Sequence, residues 1–228
     1  MSTGLHKLDN PAWFALTETH ARFADGTTCL KRYDPSMVLF AGFDRSVEIT
    51  PSDFDSVFNP GDSFFLFDQF PALPTNYKIE MLVECVQMVC EDFQPVEILE
   101  NIVTLDQNNW EEMYALINRV FPGYYLFKTP MMGDYFGIFR DHKLVAVAGE
   151  RLSMQGLTEI SAVVTDPEYG GRRYAQQLVS YLNEKNINNG IIPFLHTGSK
   201  NERAIQIYEL LGYKKRRIIN VTRIKRIG

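Results

Sequence analysis

The segment of this sequence best suited to chemistry joins a pair of glycines to the start of a predicted helix. Residues 164–175 read VTDPEYGGRRYA, and we expect a strand to end at Thr165 and a helix to begin at Arg172. The first backbone N–H groups of a helix lack partners within the helix and carry a partial positive charge. Small residues such as Gly170 and Gly171 allow an anion to approach these groups closely. The segment therefore predicts a pyrophosphate-binding turn, although an ordinary strand-to-helix connection has the same spacing.

Neither of two common phosphate-binding motifs surrounds these glycines. No Gly-Lys-Ser/Thr follows them, as a Walker A loop requires, and the dinucleotide pattern Gly-x-Gly-x-x-Gly is absent. Further along the chain, residues 201–213 read NERAIQIYELLGY. This pattern predicts a helix from Asn201 to Leu211, with Asn201 as its N-cap and Gly212 at its end.

The second half of the chain alternates regularly between elements that would position both segments. Hydrophobic residues at three- and four-residue steps predict a helix over 106–121, which Pro122 and Gly123 end. A hairpin followed by strand, helix, strand, helix and strand predicts a mixed sheet with helices on both faces and a right-handed parallel crossover between strands 160–165 and 191–196. The other predicted elements are hairpin strands 135–139 and 144–148, helices 172–186 and 201–211, and strand 218–224.

The first part of the chain is different, because it is rich in Phe, Pro and Asp and its apolar runs are short. Asn10 and the proline after it predict a helix start with Asn10 as N-cap. Residues 63–67 predict a short buried strand, whereas the apolar residues of 79–89 follow neither the helix nor the strand period clearly. We therefore divide the chain into an N-terminal accessory region, residues 1–98, and a second domain, residues 99–228.

The charge balance argues against a nucleic-acid-binding protein. The 228 residues carry a formal net charge of -5, whereas phosphate backbones are neutralised by clustered Lys and Arg. Basic residues do cluster at 214–217 and 223–226. They favour a solvated edge strand, on which Lys blocks pairing with other chains, and the alternative is a local positive field for an anionic cofactor.

Cysteine usage and hydropathy predict a cytoplasmic protein. Cys29, Cys85 and Cys90 have no paired spacing, so we expect no disulfide framework, and no Cys/His cluster indicates a metal. Cys85 and Cys90 are expected to be small buried residues. The chain shows no cationic segment followed by an apolar run and no run of about 18 apolar residues, so we expect neither secretion nor membrane insertion.

Taken together, the two segments resemble the acetyl-CoA-binding motifs of the GNAT superfamily of N-acyltransferases. Residues 164–175 are similar to the pattern Arg/Gln-x-x-Gly-x-Gly/Ala, and residues 201–213 are similar to the second motif, with its Asn, Ala, Tyr and closing Gly-aromatic pair. The resemblance covers residues 134–223. Residues 150–152 (ERL) and 194–196 (FLH) also resemble a branch related to glycine N-acyltransferases, which carries an extra N-terminal region. The resemblance implies the GNAT fold, an α/β fold with a mixed sheet, here with an additional N-terminal α/β region.

The resemblance also implies a role for each matching residue, with acetyl-CoA as the acyl donor and no metal. Tyr208 would protonate the leaving thiolate as general acid, although a structural tyrosine with a satisfied hydroxyl is the alternative. The residues that would bind the cofactor are the strand residues Ala162, Val163 and Val164, the loop residues Gly170, Gly171, Arg172, Arg173, Tyr174 and Ala175, and the helix residues Asn201 and Tyr208.

A substrate amine must lose a proton before it attacks the acetyl carbonyl, so a carboxylate or an ordered water is expected nearby. Glu159, at the start of the cofactor strand, is the first candidate base, and Glu150 is the second. A solvated charge at a strand end is the alternative for Glu159. His196 lies at a strand end, where sites form in open sheets, but a core histidine bonded to backbone is favoured.

Two residues depart from the family pattern. Gly170 stands where the family has Arg or Gln, and Arg173 stands where it has Gly. The Arg173 side chain could block the approach of pyrophosphate to the backbone, or it could point outward and pair with a phosphate. We expect cofactor binding to be retained.

These observations predict an acetyl-CoA-dependent N-acetyltransferase that acts on a primary amine of a small molecule or peptide. The alternative is a non-catalytic acyl-CoA-binding sensor or interaction module with a degenerate cofactor loop, and a weaker third possibility is a purely structural domain. We expect no nucleic-acid or membrane partner. A homodimer is expected only because two-fold oligomers are common.

Overall fold

An eight-stranded sheet forms the centre of the structure, a computed structural model that describes residues 4–227. A smaller three-stranded sheet lies in the N-terminal part of the chain. The strands are β1 (Ala24–Gly26), β2 (Leu30–Tyr33), β3 (Ala41–Phe43), β4 (Ser63–Phe67), β5 (Tyr77–Cys90), β6 (Ile102–Leu105), β7 (Tyr135–Arg140), β8 (Lys143–Met154), β9 (Leu157–Thr165), β10 (Ile192–Gly198) and β11 (Tyr213–Arg226). The helices are α1 (Pro11–Thr17), α2 (Pro51–Val57), α3 (Trp110–Val120), α4 (Tyr174–Asn188) and α5 (Glu202–Leu210).

The large sheet has the order β4-β11-β5-β10-β9-β8-β7-β6. Its neighbouring strands are antiparallel except for β9 and β10, which are parallel and joined by α4. The mixed sheet and its parallel crossover confirm the predicted architecture. All predicted helices and strands of the second half are present. β8 and β11 are longer than predicted, because both continue through polar residues. The side chains of these residues pair with other side chains of the protein.

Alternate residues of the central strands face two separate cores. On one face, Val89 and Phe194 pack with α1 and the N-terminal loops. On the other face, Met88 and Leu195 pack with α4 and α5. α3 lies on the same side as α1, since it packs with Val147, whose two neighbours belong to the other core. We call these two sides the N-terminal face and the α4/α5 face.

The prediction of an edge strand for the basic residues near the end of the chain is wrong for one of the two clusters. β11 is paired with both β4 and β5 over residues 221–225, so the cluster at 223–226 is interior, whereas residues 214–217 pair with β5 alone and have an open edge on the other side. Carboxylates pair with its basic side chains and leave little positive field for a cofactor. The pairs are Lys214 with Glu91, Lys215 with Glu209, Arg216 with Asp9, Arg217 with Asp9 and Asp68, Arg223 and Lys225 with Glu80, and Arg226 with Asp55.

The N-terminal part contributes β4 and β5 to the large sheet. The strand at 63–67 and the helix after Asn10 are confirmed. Asn10 is the N-cap residue of α1, as predicted, but its side-chain amide donates to the carbonyl of Phe43 at 2.7 Å and makes no capping hydrogen bond. β5 explains the irregular period of 79–89, since its first half is exposed while both faces of its second half are buried. The sheet thus crosses residue 98, and the two-part division of the chain stays a prediction.

Candidate active site

The parallel strands β9 and β10 separate toward their carboxyl ends. They are paired at three positions, the last of which joins Glu159 to Phe194. Beyond it, residues 160–163 of β9 and residues 196–198 of β10 form opposite walls of a cleft of about 340 Å³. Ligands of open α/β sheets bind outside the carboxyl ends of parallel strands. We therefore take this opening, which we call the central cleft, as the candidate active site.

A β-bulge in β9 turns backbone groups toward the central cleft. Ala162 and Val163 lie between two paired residues of β9 whose partners in β8 are only two positions apart. Ala162 has a φ of 52°, which is rare for a residue with a side chain and is held by its surroundings. A bulge interrupts the hydrogen-bond ladder. Its backbone groups are therefore placed to pair with an extended ligand.

Four of the predicted site residues line the central cleft: Ala162, Val163, Asn201 and Tyr208. Asn201 also caps α5, because its side-chain oxygen accepts from the backbone N–H of Ala204 at 3.2 Å, which confirms the predicted cap. Val164 does not line the cleft. Its side chain is buried in the core formed with α3. Residues 160 and 161, which the sequence did not single out, take its place.

The predicted loop residues 170–175 all line a second cleft of about 320 Å³ at the start of α4. No side chain caps α4, and the backbone N–H groups of residues 174–176 donate to no group in the part of the chain described. Arg172, Arg173 and, from α5, Arg203 line this cleft, and no carboxylate does. Open donors at a helix start together with positive charges form a site for an anion. We call it the phosphate cleft.

Arg173 occupies the family's glycine position with a backbone that glycine adopts most easily. It is the N-cap residue of α4 and has a φ of 60° and a ψ of 21°, in the left-handed region. Its side chain is exposed. The turn thus keeps the glycine-like geometry that a strand-to-helix anion site needs, at a conformational cost of about 1 kcal/mol. This geometry favours the outward-pointing alternative for the arginine.

Tyr208 lies on α5 and faces the central cleft. It is 9% exposed, and its ring lies 5.8 Å from that of Tyr213. Its hydroxyl makes no hydrogen bond with any residue from 4 to 227, so the alternative of a structural tyrosine with a satisfied hydroxyl is not observed. Burial raises the pKa of Tyr208 to about 12. The hydroxyl therefore carries its proton at neutral pH, as a general acid must.

Glu159, the first candidate base, is fully buried and fully paired. Its two oxygens accept from Nη2 and Nε of Arg151 at 2.8 and 2.9 Å, and it lies 2.8 Å from Nδ1 of His196. Burial alone would raise its pKa, but the charge of Arg151 and the hydrogen bonds from His196 and Arg151 outweigh burial and hold the pKa at about 2. Its burial makes the solvated-charge alternative wrong. A carboxylate held this firmly in its charged form is a poor proton acceptor, so the arrangement weighs against the base role, which stays a prediction.

His196 belongs to the same buried network. Its Nε2 atom lies 2.9 Å from the side-chain amide nitrogen of Gln87, and that nitrogen also donates to the carbonyl of Leu8 at 2.8 Å. The amide nitrogen can only donate, so Nε2 of the ring accepts and the proton on Nδ1 points at Glu159. Both ring nitrogens are thus occupied by side chains rather than by backbone, and His196 contributes a wall to the central cleft.

Glu150, the second candidate base, points away from the central cleft. Its carboxylate accepts from Nζ of Lys185 at 2.9 Å and from the amide of Asn186 at 2.8 Å, both on α4. It also accepts from the backbone N–H of Asp134 at 3.2 Å. This position on the α4 side, away from the bulge, weighs against the base role of Glu150, which likewise stays a prediction. Alternation in β8 places Arg151, not Glu150, on the side of the cleft.

Tyr125 is a cleft residue that the sequence did not single out. It is 5% exposed and lines the central cleft, with its ring 6.1 Å from that of Tyr135. Neither of these two buried hydroxyls makes a hydrogen bond of normal geometry within residues 4–227. Burial raises the pKa of Tyr125 far above its usual value, so the hydroxyl is neutral. The two hydroxyls lie close enough to influence each other, and the position of Tyr125 in the cleft wall makes its hydroxyl a candidate contact for a ligand.

Replacing Tyr125 by Phe should show whether its hydroxyl acts in substrate binding or in the stability of the fold. We expect the free energy of unfolding to stay within about 1 kcal/mol of the wild type, because the removed hydroxyl makes no hydrogen bond of normal geometry and interacts only with the Tyr135 hydroxyl among the residues described. Turnover of any amine that the protein acetylates should fall about tenfold or more if the hydroxyl binds substrate. Chemical unfolding and steady-state kinetics on the same preparation measure both quantities. A stable variant with unchanged kinetics would remove Tyr125 from the site.

Comparison with known proteins shows which family the chain is similar to. Residues 135–223 match the family described as FR47-like protein. A GNAT-family protein from Novosphingobium aromaticivorans is 28% identical and has a TM-score of 0.86, with 97% of this chain and 99% of that chain covered. These findings support the GNAT superfamily prediction. The likeness to the bacterial protein also includes the N-terminal part, so the whole chain, and not only its second half, has a GNAT relative.

More distant structures share the GNAT fold. A GCN5-related N-acetyltransferase from Kribbella flavida is 16% identical, with a TM-score of 0.61 and 96% of each chain covered. A GNAT-family acetyltransferase from Colwellia psychrerythraea is 11% identical, with a TM-score of 0.51 and 86% of this chain and 80% of that chain covered. No curated protein sequence matches the chain. The resemblance to the glycine N-acyltransferase branch stays a prediction.

The structure also bears on metal binding and membrane insertion. Across residues 4–227, no group of three or more His, Cys, Asp or Glu side chains is arranged to hold a metal ion. In the same part of the chain, no helix has the length and hydropathy needed to span a membrane. The cysteines Cys29, Cys85 and Cys90 are free thiols, and the last two are buried, as predicted.

Proposed function

We propose that this GNAT protein is an acetyl-CoA-dependent N-acetyltransferase that transfers acetyl to a primary amine of a small molecule or peptide by direct attack. Acyl-CoA-dependent N-acetyltransferase activity in general is supported by its GNAT relatives. The observation that carries the proposal is the order of three features along β9, the loop after it and α5. These are the open helix start of the phosphate cleft, the bulge at Ala162, and the unpaired hydroxyl of Tyr208.

The residues present fit acetyl-CoA, which would supply the activated acetyl group. The phosphate cleft offers the N–H groups of residues 174–176 and the charges of Arg172, Arg173 and Arg203 to the pyrophosphate. The bulge at 162–163 offers backbone groups to an extended amide-containing arm, as a neighbouring strand would. β9 and β10 separate toward their carboxyl ends, and such an arm could pass between them to reach Tyr208.

Tyr208 is placed to protonate the sulfur as the carbon–sulfur bond breaks and the carbon–nitrogen bond forms. Its pKa is about 12, above that of an ordinary thiol. The same burial raises the pKa of a thiol that forms beside Tyr208. The difference between the pKa values of the tyrosine and the thiol therefore becomes smaller. A proton held by Tyr208 therefore moves to sulfur only as negative charge accumulates there.

No side chain lining the central cleft is suited to take the proton of the amine. The cleft contains no Asp or Glu within the described ranges, and both nitrogens of His196 are occupied. The ordered water that the sequence left as an alternative is therefore the proposed route from the amine to solvent. The predicted homodimer also stays a proposal.

Titration with acetyl-CoA tests the proposal directly, by calorimetry on the wild type beside Arg203→Glu and Arg173→Gly. We expect the wild type to bind with a dissociation constant near the micromolar range, about -8 kcal/mol. Arg203→Glu should bind about tenfold more weakly or worse, because it places a negative charge in the phosphate cleft. Arg173→Gly should stay within about threefold of the wild type, since the backbone at 173 already has the required geometry.

Arg22→Glu is the matched control, because it makes the same charge change at an exposed arginine far from the phosphate cleft. It should bind like the wild type. Absence of binding by the wild type, with binding restored in Arg173→Gly, would show that the arginine disables the loop. Tight binding without acetylation across a broad amine panel would instead support the acyl-CoA sensor alternative.

A further inference from the structure

A small apolar pocket adjoins the central cleft and has no role in the proposed cofactor site. It has a volume of about 130 Å³, and the N-terminal part of the chain builds most of it. Its walls are Leu39 and Phe40 from the loop before β3, Phe65 and Phe67 of β4, and Cys85 of β5. Burial raises the pKa of the Cys85 thiol to about 11, so this residue is a neutral, small apolar group at pH 7. We call this space the apolar pocket.

The apolar pocket opens into the central cleft at a boundary that both share. Val83, Tyr124, Arg151 and His196 line the two spaces together. A molecule with its reactive atom in the cleft can therefore extend into the pocket without crossing a wall. The pocket is thus part of the same binding region as the reacting groups.

The apolar pocket lies on the side of the sheet opposite to Tyr208. Phe40, Phe67 and Cys85 belong to the core of the N-terminal face, whereas Tyr208 belongs to the core of the α4/α5 face. The proposed acid acts on the leaving sulfur, so the thiol end of the donor lies toward α5. An attacking amine must approach the carbonyl from a direction other than that of the leaving group. The N-terminal face is the side from which it arrives, and the apolar pocket is next to its path.

The boundary of the pocket is polar but carries no free charge. Glu159 neutralises Arg151 through two hydrogen bonds, and the guanidinium of Arg151 also lies 4.7 Å from the centre of the Phe40 ring. The ring of His196 lies 5.5 Å from that of Phe67, and both of its nitrogens are occupied. A charged group in the pocket would lose its hydration without finding a counter-ion. The pocket therefore selects an uncharged group.

The volume of the apolar pocket and the side chains that line it define that group further. A cavity of roughly 150 Å³ lined by apolar side chains accommodates benzene, and the apolar pocket is only slightly smaller at about 130 Å³. The rings of Phe40 and Phe67 meet edge to face at 4.9 Å, an arrangement that a third aromatic ring can extend. Resting on the proposed acetyltransferase function, we propose that the acceptor is a primary amine with an uncharged aryl or branched alkyl arm, and that the apolar pocket holds this arm.

The test compares matched amines, with binding measured on the CoA-bound protein and turnover measured separately with acetyl-CoA as the donor. The probes are 2-phenylethylamine, 3-methylbutylamine and ethylamine, which share the amine and differ in the arm. Calorimetric titration and acetylation kinetics should both favour the first two over ethylamine by roughly 10- to 100-fold, the range that apolar groups contribute in a pocket. Leu39→Phe should shrink the pocket and remove most of this preference, and Leu39→Ala should extend it to bulkier arms.

Leu73→Phe is the matched control, since Leu73 is a partly buried leucine of the N-terminal part that does not line the pocket. It should keep the wild-type preference. Acetylation of all three amines at similar rates would overturn the pocket assignment and leave the acetyltransferase function standing. A wild-type preference for benzoyl-CoA over acetyl-CoA that Leu39→Phe removes would also overturn it, by assigning the pocket to the acyl group. Selective binding of 2-phenylethylamine without turnover would support the pocket and count against the acetyltransferase.

Discussion

Replacement of Tyr208 by Phe should lower the rate constant of acetyl transfer, kcat, by about 100-fold or more, while the affinity for acetyl-CoA changes by less than about threefold. Proton transfer by a placed side chain contributes roughly 10²- to 10⁴-fold to a reaction rate. The substitution keeps the ring and removes only the hydroxyl, which makes no hydrogen bond with the residues described. Stability should therefore be unchanged, and the loss should appear in turnover alone.

Tyr181→Phe is the matched control for Tyr208. Tyr181 lies on α4, packs against Phe136 and does not line the central cleft. Its replacement should leave kcat and the affinity for acetyl-CoA unchanged. Steady-state kinetics at saturating acetyl-CoA, with calorimetry of cofactor binding, provide both readouts. A Tyr208→Phe enzyme with the wild-type kcat would show that the leaving thiolate is protonated by another group.

The sequence predicted those parts of the molecule that depend on local signals. Helix periodicity, the Asn201 cap and the hairpin of strands 135–139 and 144–148 are properties of short segments, and the structure has all of them. Asp141 and His142 both have positive φ values, as a tight hairpin turn between β7 and β8 requires. The two GNAT motifs are likewise local, which is why the superfamily was recognisable before the fold was known.

The residues that sequence reasoning misplaced are those whose environment depends on distant parts of the chain. Glu159 and Glu150 are both acidic residues on strands, and local pattern cannot show which charged partners meet them. Glu159 meets Arg151 across the β8–β9 pair, and Glu150 meets Lys185 of α4. The second half of β11 could not be recognised as interior, because its partner residues in β4 are distant in sequence, as the pair of Val221 with Phe67 shows. Strand insertion of this kind leaves no trace in hydropathy when the polar side chains are paired.

Tyr125 and the apolar pocket were missed for the same reason. Tyr125 follows the helix-ending Pro-Gly pair in a segment that looks like an ordinary loop, and only its burial under β8 and β9 makes its hydroxyl notable. The Phe residues of β4 were interpreted as core, and they are core. They also form a pocket wall, because the loop at 38–40 and β5 leave a space beside them. Composition identifies apolar residues, whereas only the fold shows where their packing is incomplete.

Glu159→Gln should be the most destabilising of the substitutions considered for this site, lowering the free energy of unfolding by about 3–5 kcal/mol. The glutamine has nearly the same shape, but it leaves the guanidinium of Arg151 buried without a counter-charge, and removal of one partner from a buried pair has this cost. For a domain of this size the loss corresponds to a decrease in Tm on the order of 10 °C. Chemical and thermal unfolding measure it.

The same pair predicts how stability depends on pH. The pKa of Glu159 is lowered from 4.5 to about 2 in the folded state. Its contribution to stability is therefore fully present above about pH 4.5 and is lost as the pH falls from there toward 2, because the unfolded state takes up the proton first. The difference in stability between the wild type and Glu159→Gln should shrink over this window. A difference that is constant from pH 7 to pH 3 would mean that Glu159 is not ionised in the folded protein.

Two comparison variants separate charge from packing in this network. Glu168→Gln makes the same change at a carboxylate that is 79% exposed and lies 3.7 Å from Lys143, and it should alter stability by less than about 0.5 kcal/mol. The double variant Arg151→Met with Glu159→Leu removes both charges and should be more stable than Glu159→Gln alone, since apolar residues can replace a buried pair at little cost. A double variant as unstable as the single one would assign the effect to packing around His196 rather than to an uncompensated charge. Because Arg151 also forms the boundary of the apolar pocket, its replacement should change amine selectivity as well, which connects the stability of this network to the shape of the proposed acceptor site.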